Sequence, residues 1–216
     1  MKKMIAVVVL SVMLAAASAQ AEGISMFSGQ TLGSPKMALN VGAGVPDVSV
    51  LFLAGLNKDM DLGGFFKLGY LSPVLYMSTP NYDPVMVYFN PGVSFRYSIR
   101  NWGKYNLGFI GEAGFLIGAY PDFNFGLNIN PSIVFGIPIK DVVSINLGFG
   151  IPFNILFVNN VVGMIPLAFK IGAEFFIDPK LSVNFNTEMG PGICAYSGGS
   201  DVGFYGLFKA GITFGL

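Results

Sequence analysis

Residues 143–157 read Val-Ser-Ile-Asn-Leu-Gly-Phe-Gly-Ile-Pro-Phe-Asn-Ile-Leu-Phe. The odd positions, Val143, Ile145, Leu147, Phe149, Ile151, Phe153, Ile155 and Phe157, are all apolar. The even ones are Ser144, Asn146, Gly148, Gly150, Pro152, Asn154 and Leu156. Residues two apart share one face of a strand, so one face is wholly apolar and the other mostly small and polar. A membrane helix has one argument here, the absence of charge between Asp141 and Lys170, but it would scatter Asn146 and Asn154 around its circumference. The stretch is a strand.

The alternation continues on both sides. In 123–139 the apolar face carries Phe123, Phe125, Leu127, Ile129, Ile133, Phe135, Ile137 and Ile139, opposite Asn124, Gly126, Asn128, Asn130 and Ser132. In 181–189, Leu181, Val183, Phe185 and Met189 oppose Ser182, Asn184, Asn186 and Glu188. A soluble sandwich buries its apolar face on a second sheet and shows water a charged one. Here the polar face is mostly Gly, Asn and Ser, which fits a belt facing lipid around a polar lumen.

Composition agrees. Of 216 residues, 53% are hydrophobic and 11% charged, against roughly 25% charged in an ordinary soluble domain. Zero net charge removes a nucleic-acid partner, and a mean hydropathy of +0.62 removes disorder. There is no His, hence no His-based catalysis or metal site, and the single Cys194 has no intramolecular disulfide partner. No cofactor is expected.

Lys2 and Lys3 precede an apolar stretch, Met4–Ala17, ending in Ala17-Ser18-Ala19 and Ala19-Gln20-Ala21. This predicts a signal peptide over 1–21 and one domain over 22–216. Charged turn clusters lie at Asn57–Asp61, Arg100–Lys104, Lys140-Asp141 and Asp178-Pro179-Lys180, centred about 40 residues apart. Turn signals between them fall at Val45-Pro46-Asp47, Thr79–Pro84, Tyr120-Pro121-Asp122, Asn159-Asn160 and Ser197–Asp201. The spacing predicts an all-β, antiparallel, up-and-down transmembrane barrel of ten strands, within a range of eight to twelve. The strands fall at about 36–45, 48–56, 62–75, 85–100, 105–119, 123–139, 142–157, 163–177, 181–196 and 202–216. Only Pro46-Asp47 separates the first two, and one bulged strand there would alter the count. An even count puts both termini and the charged turns in the periplasm.

With these residues in hand, the chain resembles the small bacterial outer-membrane β-barrel proteins, the OmpA-type and porin-like superfamily, over essentially all of 22–216. Its ending, Lys209-Ala210-Gly211-Ile212-Thr213-Phe214-Gly215-Leu216, is similar to that group's C-terminal assembly signal through Lys209, Gly211, Phe214 and Leu216, with Leu in place of the commoner terminal Phe. The resemblance implies an outer-membrane location, lipid as partner, and delivery by the barrel-assembly machinery. Enzymes in this group mostly use an active-site His, which implies that this chain is not an enzyme.

Parity turns seven charged side chains into the lumen: Lys67, Arg96, Glu112, Lys170, Glu174, Glu188 and Lys209. Symmetry about residue 179 sets Lys170 opposite Glu188, and Lys209 falls near the same height, predicting a Lys170–Glu188–Lys209 ladder. Such pairs either hold a narrow barrel together or form a charged constriction. Lumenal glycines either leave space for water or make room for the inward Phe65, Tyr88, Phe176 and Tyr205. Pro46, Pro73, Pro91, Pro131, Pro152, Pro166 and Pro191 all lie 9 to 12 residues from a charged turn. Lacking a ladder N–H, they should weaken strand pairing in a ring at one height. The expected function is a structural or narrow passive-pore role. The alternative is transport of small hydrophobic compounds through a wall opening at the proline ring. Short outer loops argue against an adhesin or surface receptor.

Overall fold

The computed structural model describes residues 23–71, 74–77, 87–102, 105–120, 123–139, 142–157 and 161–216. The expected signal peptide, Pro73 and the turn signals at 79–84, 121–122, 140–141 and 159–160 lie outside these residues. Thirteen segments follow one another: β1 (Met37–Val45), β2 (Asp47–Gly55), β3 (Met60–Gly69), β4 (Val74–Met77), β5 (Val87–Trp102), β6 (Tyr105–Tyr120), β7 (Asn124–Ile139), β8 (Val143–Gly150), β9 (Phe153–Phe157), β10 (Val161–Pro166), β11 (Ala168–Asp178), β12 (Leu181–Tyr196) and β13 (Gly199–Gly215). Three pairs, β3/β4, β8/β9 and β10/β11, are single strands interrupted once, so the segments make a closed antiparallel barrel of ten strands. Closure runs through β13, which pairs with β1 from Ala38↔Gly215 to Val45↔Phe208 and with β12 along its whole length. A closed sheet leaves no edge strand with unpaired backbone groups.

One rim of the barrel carries the connections after β2, β5, β7 and β11, together with residue 216; we call it the lower rim. There Gly215 N–H donates to Lys180 O at 2.6 Å and Leu216 N–H to Met37 O at 3.0 Å, tying the last strand to both neighbours.

The strands β1 and β2 form a true hairpin, paired from Met37↔Ala54 to Ala43↔Val48, so the bulged single strand does not occur. They are only 9 residues each, against 16 for β5, β6, β7 and β12. They therefore wall only the lower part of the barrel. Above the hairpin tip, β4 leaves the line of β3 and pairs with the upper part of β13, Met77↔Gly203 and Val74↔Tyr205. Tyr70 N–H donates to Pro46 O at 3.0 Å, and the Tyr70 hydroxyl to Gly44 O, fastening that crossing to the tip.

Prolines account for the other interruptions. The β7 ladder stops at Ser132↔Gly150 and resumes at Ile129↔Phe153, with Pro131 opposite Ile151 and Pro152 opposite Asn130 in the break. The β12 ladder stops at Phe169↔Met189 and resumes at Pro166↔Gly192. Each break keeps one bridging bond: Ile151 N–H to Pro131 O at 3.1 Å, and Leu167 N–H to Pro191 O at 2.8 Å. Pro91 falls in a similar gap between Phe89↔Ile117 and Gly92↔Gly114. A missing ladder donor interrupts pairing at this height without parting the strands.

The two faces separate as the alternation requires. Leu147, Phe149, Ile151 and Phe157 are exposed on the outside, while Ser144, Asn146 and Asn154 are buried inside. Outer rings pack across strands, Phe66 on Phe89 at 6.2 Å, Phe115 on Phe125 at 5.6 Å and Phe149 on Phe169 at 5.7 Å between centroids.

Candidate functional site: a plugged lumen

The described residues just before β1 do not run outside the barrel. Residues 23–33, Gly-Ile-Ser-Met-Phe-Ser-Gly-Gln-Thr-Leu-Gly, carry no charge and form no strand. They lie within the lower lumen, where Ser25, Met26, Ser28 and Leu32 are buried. One side of this plug is apolar: Met26 and Leu32, with Ile24 and Phe27, pack on Ala38, Leu51 and Leu53 of the β1–β2 hairpin and on Phe65.

The other side is tied by three charged side chains of the wall. Glu174, on β11, accepts from the Ser25 hydroxyl, from Met26 N–H at 2.9 Å and from Asn146 Nδ2 at 3.1 Å. Arg96, on β5, donates through Nη1 to Ser25 O at 3.0 Å, and through Nη2 and Nε to Asp61 at 2.5 and 3.0 Å. Asp61, on β3, also accepts Leu32 N–H at 2.9 and 3.0 Å. Arg96, Asp61 and Glu174 are at most 2% exposed. Charges so far from water persist because each finds several partners; one left without them costs about 3–5 kcal/mol. Backbone contact is close as well. A Cβ on Gly108 would come within 2.4–2.8 Å of Gly29 backbone atoms, so bare glycines let the plug lie directly on β6.

Above the plug, Met26 and Phe27 border a lumenal cavity of about 160 Å³. Three ion pairs line it: Lys67–Glu112 at 2.6 Å, Lys170–Glu188 at 2.9 Å, and Lys209–Asp47. The Lys67 ammonium also sits 4.4 Å from the Phe65 ring centroid, and the Tyr205 hydroxyl donates to Glu188 at 3.3 Å. The expected Lys170–Glu188–Lys209 ladder is therefore corrected to a pair. Lys170 does face Glu188 across β11–β12, but Lys209 faces Asn186, and Glu188 faces Leu207. Lys209 instead reaches across β1 to Asp47 on β2, as Lys67 reaches across β5 to Glu112 on β6. Register arguments between adjacent strands miss such pairs, because long side chains span an intervening strand.

All seven expected lumenal charges point inward, divided between the latch (Arg96, Glu174) and the ion-pair band (Lys67, Glu112, Lys170, Glu188, Lys209). Two carboxylates read as turn residues, Asp47 and Asp61, are in strands and buried at 2% and 0% exposure. The lumenal glycines make room for side chains. Phe65 lies over Gly92 and Gly114, Tyr88 over Gly69, and Asn106 over Gly136, each where a Cβ would come within about 3 Å. Of the C-terminal residues, Phe214 and Leu216 point outward and Gly211 sits between Gly42 and Asn184 at the closing seam. Among the described residues, no three Cys, Asp or Glu side chains converge as a metal-ligand set.

No family profile and no curated protein matches the sequence. Among solved structures, the outer membrane protease OmpT of Escherichia coli is similar at 9% identity and a TM-score of 0.41, over 88% of this chain and 100% of that one.

Proposed function

We propose that this protein is a non-enzymatic integral outer-membrane barrel, closed at rest by its own N-terminal segment, with a structural rather than an openly conducting role. The plug carries the reading: residues 23–33 fill the lower lumen and are held by Arg96, Asp61 and Glu174. The apolar exterior supports the membrane assignment, because exposed Val41, Phe52, Phe66, Phe125, Phe169 and Phe208 would be costly in water and fit lipid. A narrow passive pore requires that the plug move. Transport through a lateral opening finds less support, since the breaks beside Pro131 and Pro191 are each bridged by a backbone bond.

The test is purification from outer-membrane fractions followed by planar-bilayer recording. The wild-type protein should run as a heat-modifiable folded band and insert without steady conductance. Steady ohmic current from the wild type would overturn the closed-barrel reading, and recovery from the soluble fraction would overturn the membrane reading.

A further inference from the structure

We propose that residues 23–33 are a displaceable gate, and that the lumen they occupy is a channel for ions and small polar solutes. The proposal rests on the membrane-barrel reading above and goes beyond it by assigning a solute class and a moving part.

Away from the β1–β2 hairpin and Phe65, the wall around the plug is polar. Ser94, Ser132, Ser144, Asn146, Ser182 and Asn184 all face inward and are at most 3% exposed. A permanent core would put apolar side chains at these positions, since burying hydroxyls and amides gains little. Serines and asparagines suit a surface that water will cover. Upward through the cavity, the ion-pair side chains of both signs, 15–18% exposed with Asp47 excepted, stand among apolar ones such as Leu116, Val134, Leu156 and Met164. Alternating charges of zero net sign favour neither anions nor cations, which points to small polar solutes and salt rather than one ion.

The attachment is asymmetric. Apolar contacts hold the plug on the β1–β2 side, while across the lumen it is held by side-chain hydrogen bonds with Arg96, Glu174 and Ser182 and by the close backbone approach of Gly29 to Gly108. It makes no ladder with the wall. Release would not strand the latch, because Arg96 keeps Asp61 and Glu174 keeps Asn146, and incoming water solvates the rest. A pivot stands at the right place. Gly33 has φ +74°, a conformation that L side chains rarely adopt, with nothing within 4 Å of where its Cβ would be. The turn after it, closed by Lys36 N–H to Gly33 O at 2.9 Å, leads into β1.

Two variants of the full-length protein test the gate. Gly108→Val puts a side chain where Gly29 lies and pushes the plug off β6, the contacts a Cβ there would meet being those of Gly29. Deletion of residues 24–31 removes the plug itself. Gly163→Ala, where a Cβ meets nothing within 4 Å, is the control. Each is recorded in planar bilayers in potassium chloride, alongside unboiled gels. The expected result is ohmic steps from the valine and deletion variants, at least tenfold more frequent than from wild type or the control. Folded, inserted variants that stay closed would overturn the proposal. So would loss of the folded band in both, which would make the plug part of the core. A wild-type protein that neither folds in detergent nor inserts would fail the membrane reading instead.

Discussion

At the scale of single residues, burial separates two kinds of charge pair. Arg96 and Asp61 are at most 2% exposed, and Asp61 holds both the guanidinium and the plug backbone at Leu32. Asp61→Asn leaves Arg96 buried without its counter-charge, so it should destabilise by about 3–5 kcal/mol. Lys170 and Glu188 have side chains 16% exposed toward a cavity that water can enter. Glu188→Gln should therefore cost less, about 1–2 kcal/mol, and adding Lys170→Met should recover part of it. Urea unfolding in detergent measures both; an equal or reversed order would contradict the burial argument. Parity along the strands was enough to place the seven lumenal charges and the inward Phe65, Tyr88, Phe176 and Tyr205. It failed for Asp47 and Asp61 because Asp beside Pro46 or within a charged cluster reads as turn chemistry. Arg96 is the direct cross-strand neighbour of Asp61, whereas Lys209 reaches Asp47 across β1 and shows only in three dimensions.

At the scale of elements, the seam between β1 and β13 closes the barrel, because it joins the first strand to the last. Phe214 and Leu216 face outward there, and Thr213, on the inner side, accepts from Asn40 Nδ2 at 3.0 Å. Deleting Phe214–Leu216 removes the β1 partners Phe214 and Gly215 and the bond from Leu216 to Met37. Unpaired groups in hydrocarbon cost several kcal/mol each. The truncated protein should lose its heat-modifiable band and accumulate as a degraded species, whereas normal folded yield would remove the C-terminal segment's role in closure. The ten strands were legible because apolar alternation and turn clusters agree along the chain. The departure of β4 toward β13 was not. It follows from β1 and β2 being too short to reach the upper rim, a geometric shortfall that no local pattern in Val74–Met77 announces.

For the whole molecule, the plug was the largest feature hidden from sequence. Gly23–Gly33 has no period and no charge, so nothing in it sets it apart from the barrel domain that begins at residue 22. The signal that could have exposed it was Glu174, an inward carboxylate whose cross-strand neighbours, Ser144 and Asn184, carry no positive charge. A buried carboxylate in that position implies donors from elsewhere in the chain. The central claim is that this barrel spans the outer membrane with its lower rim, and so its plug, on the periplasmic side. Labelling single cysteines in intact cells with a membrane-impermeant thiol reagent, in a Cys194→Ser background, tests it most directly. Gly199→Cys, on the upper hairpin, should label in intact cells, and Pro179→Cys, on the lower rim, only after the envelope is opened. Labelling of Pro179→Cys in intact cells, with Gly199→Cys protected, would contradict the orientation and with it the proposed side of the gate.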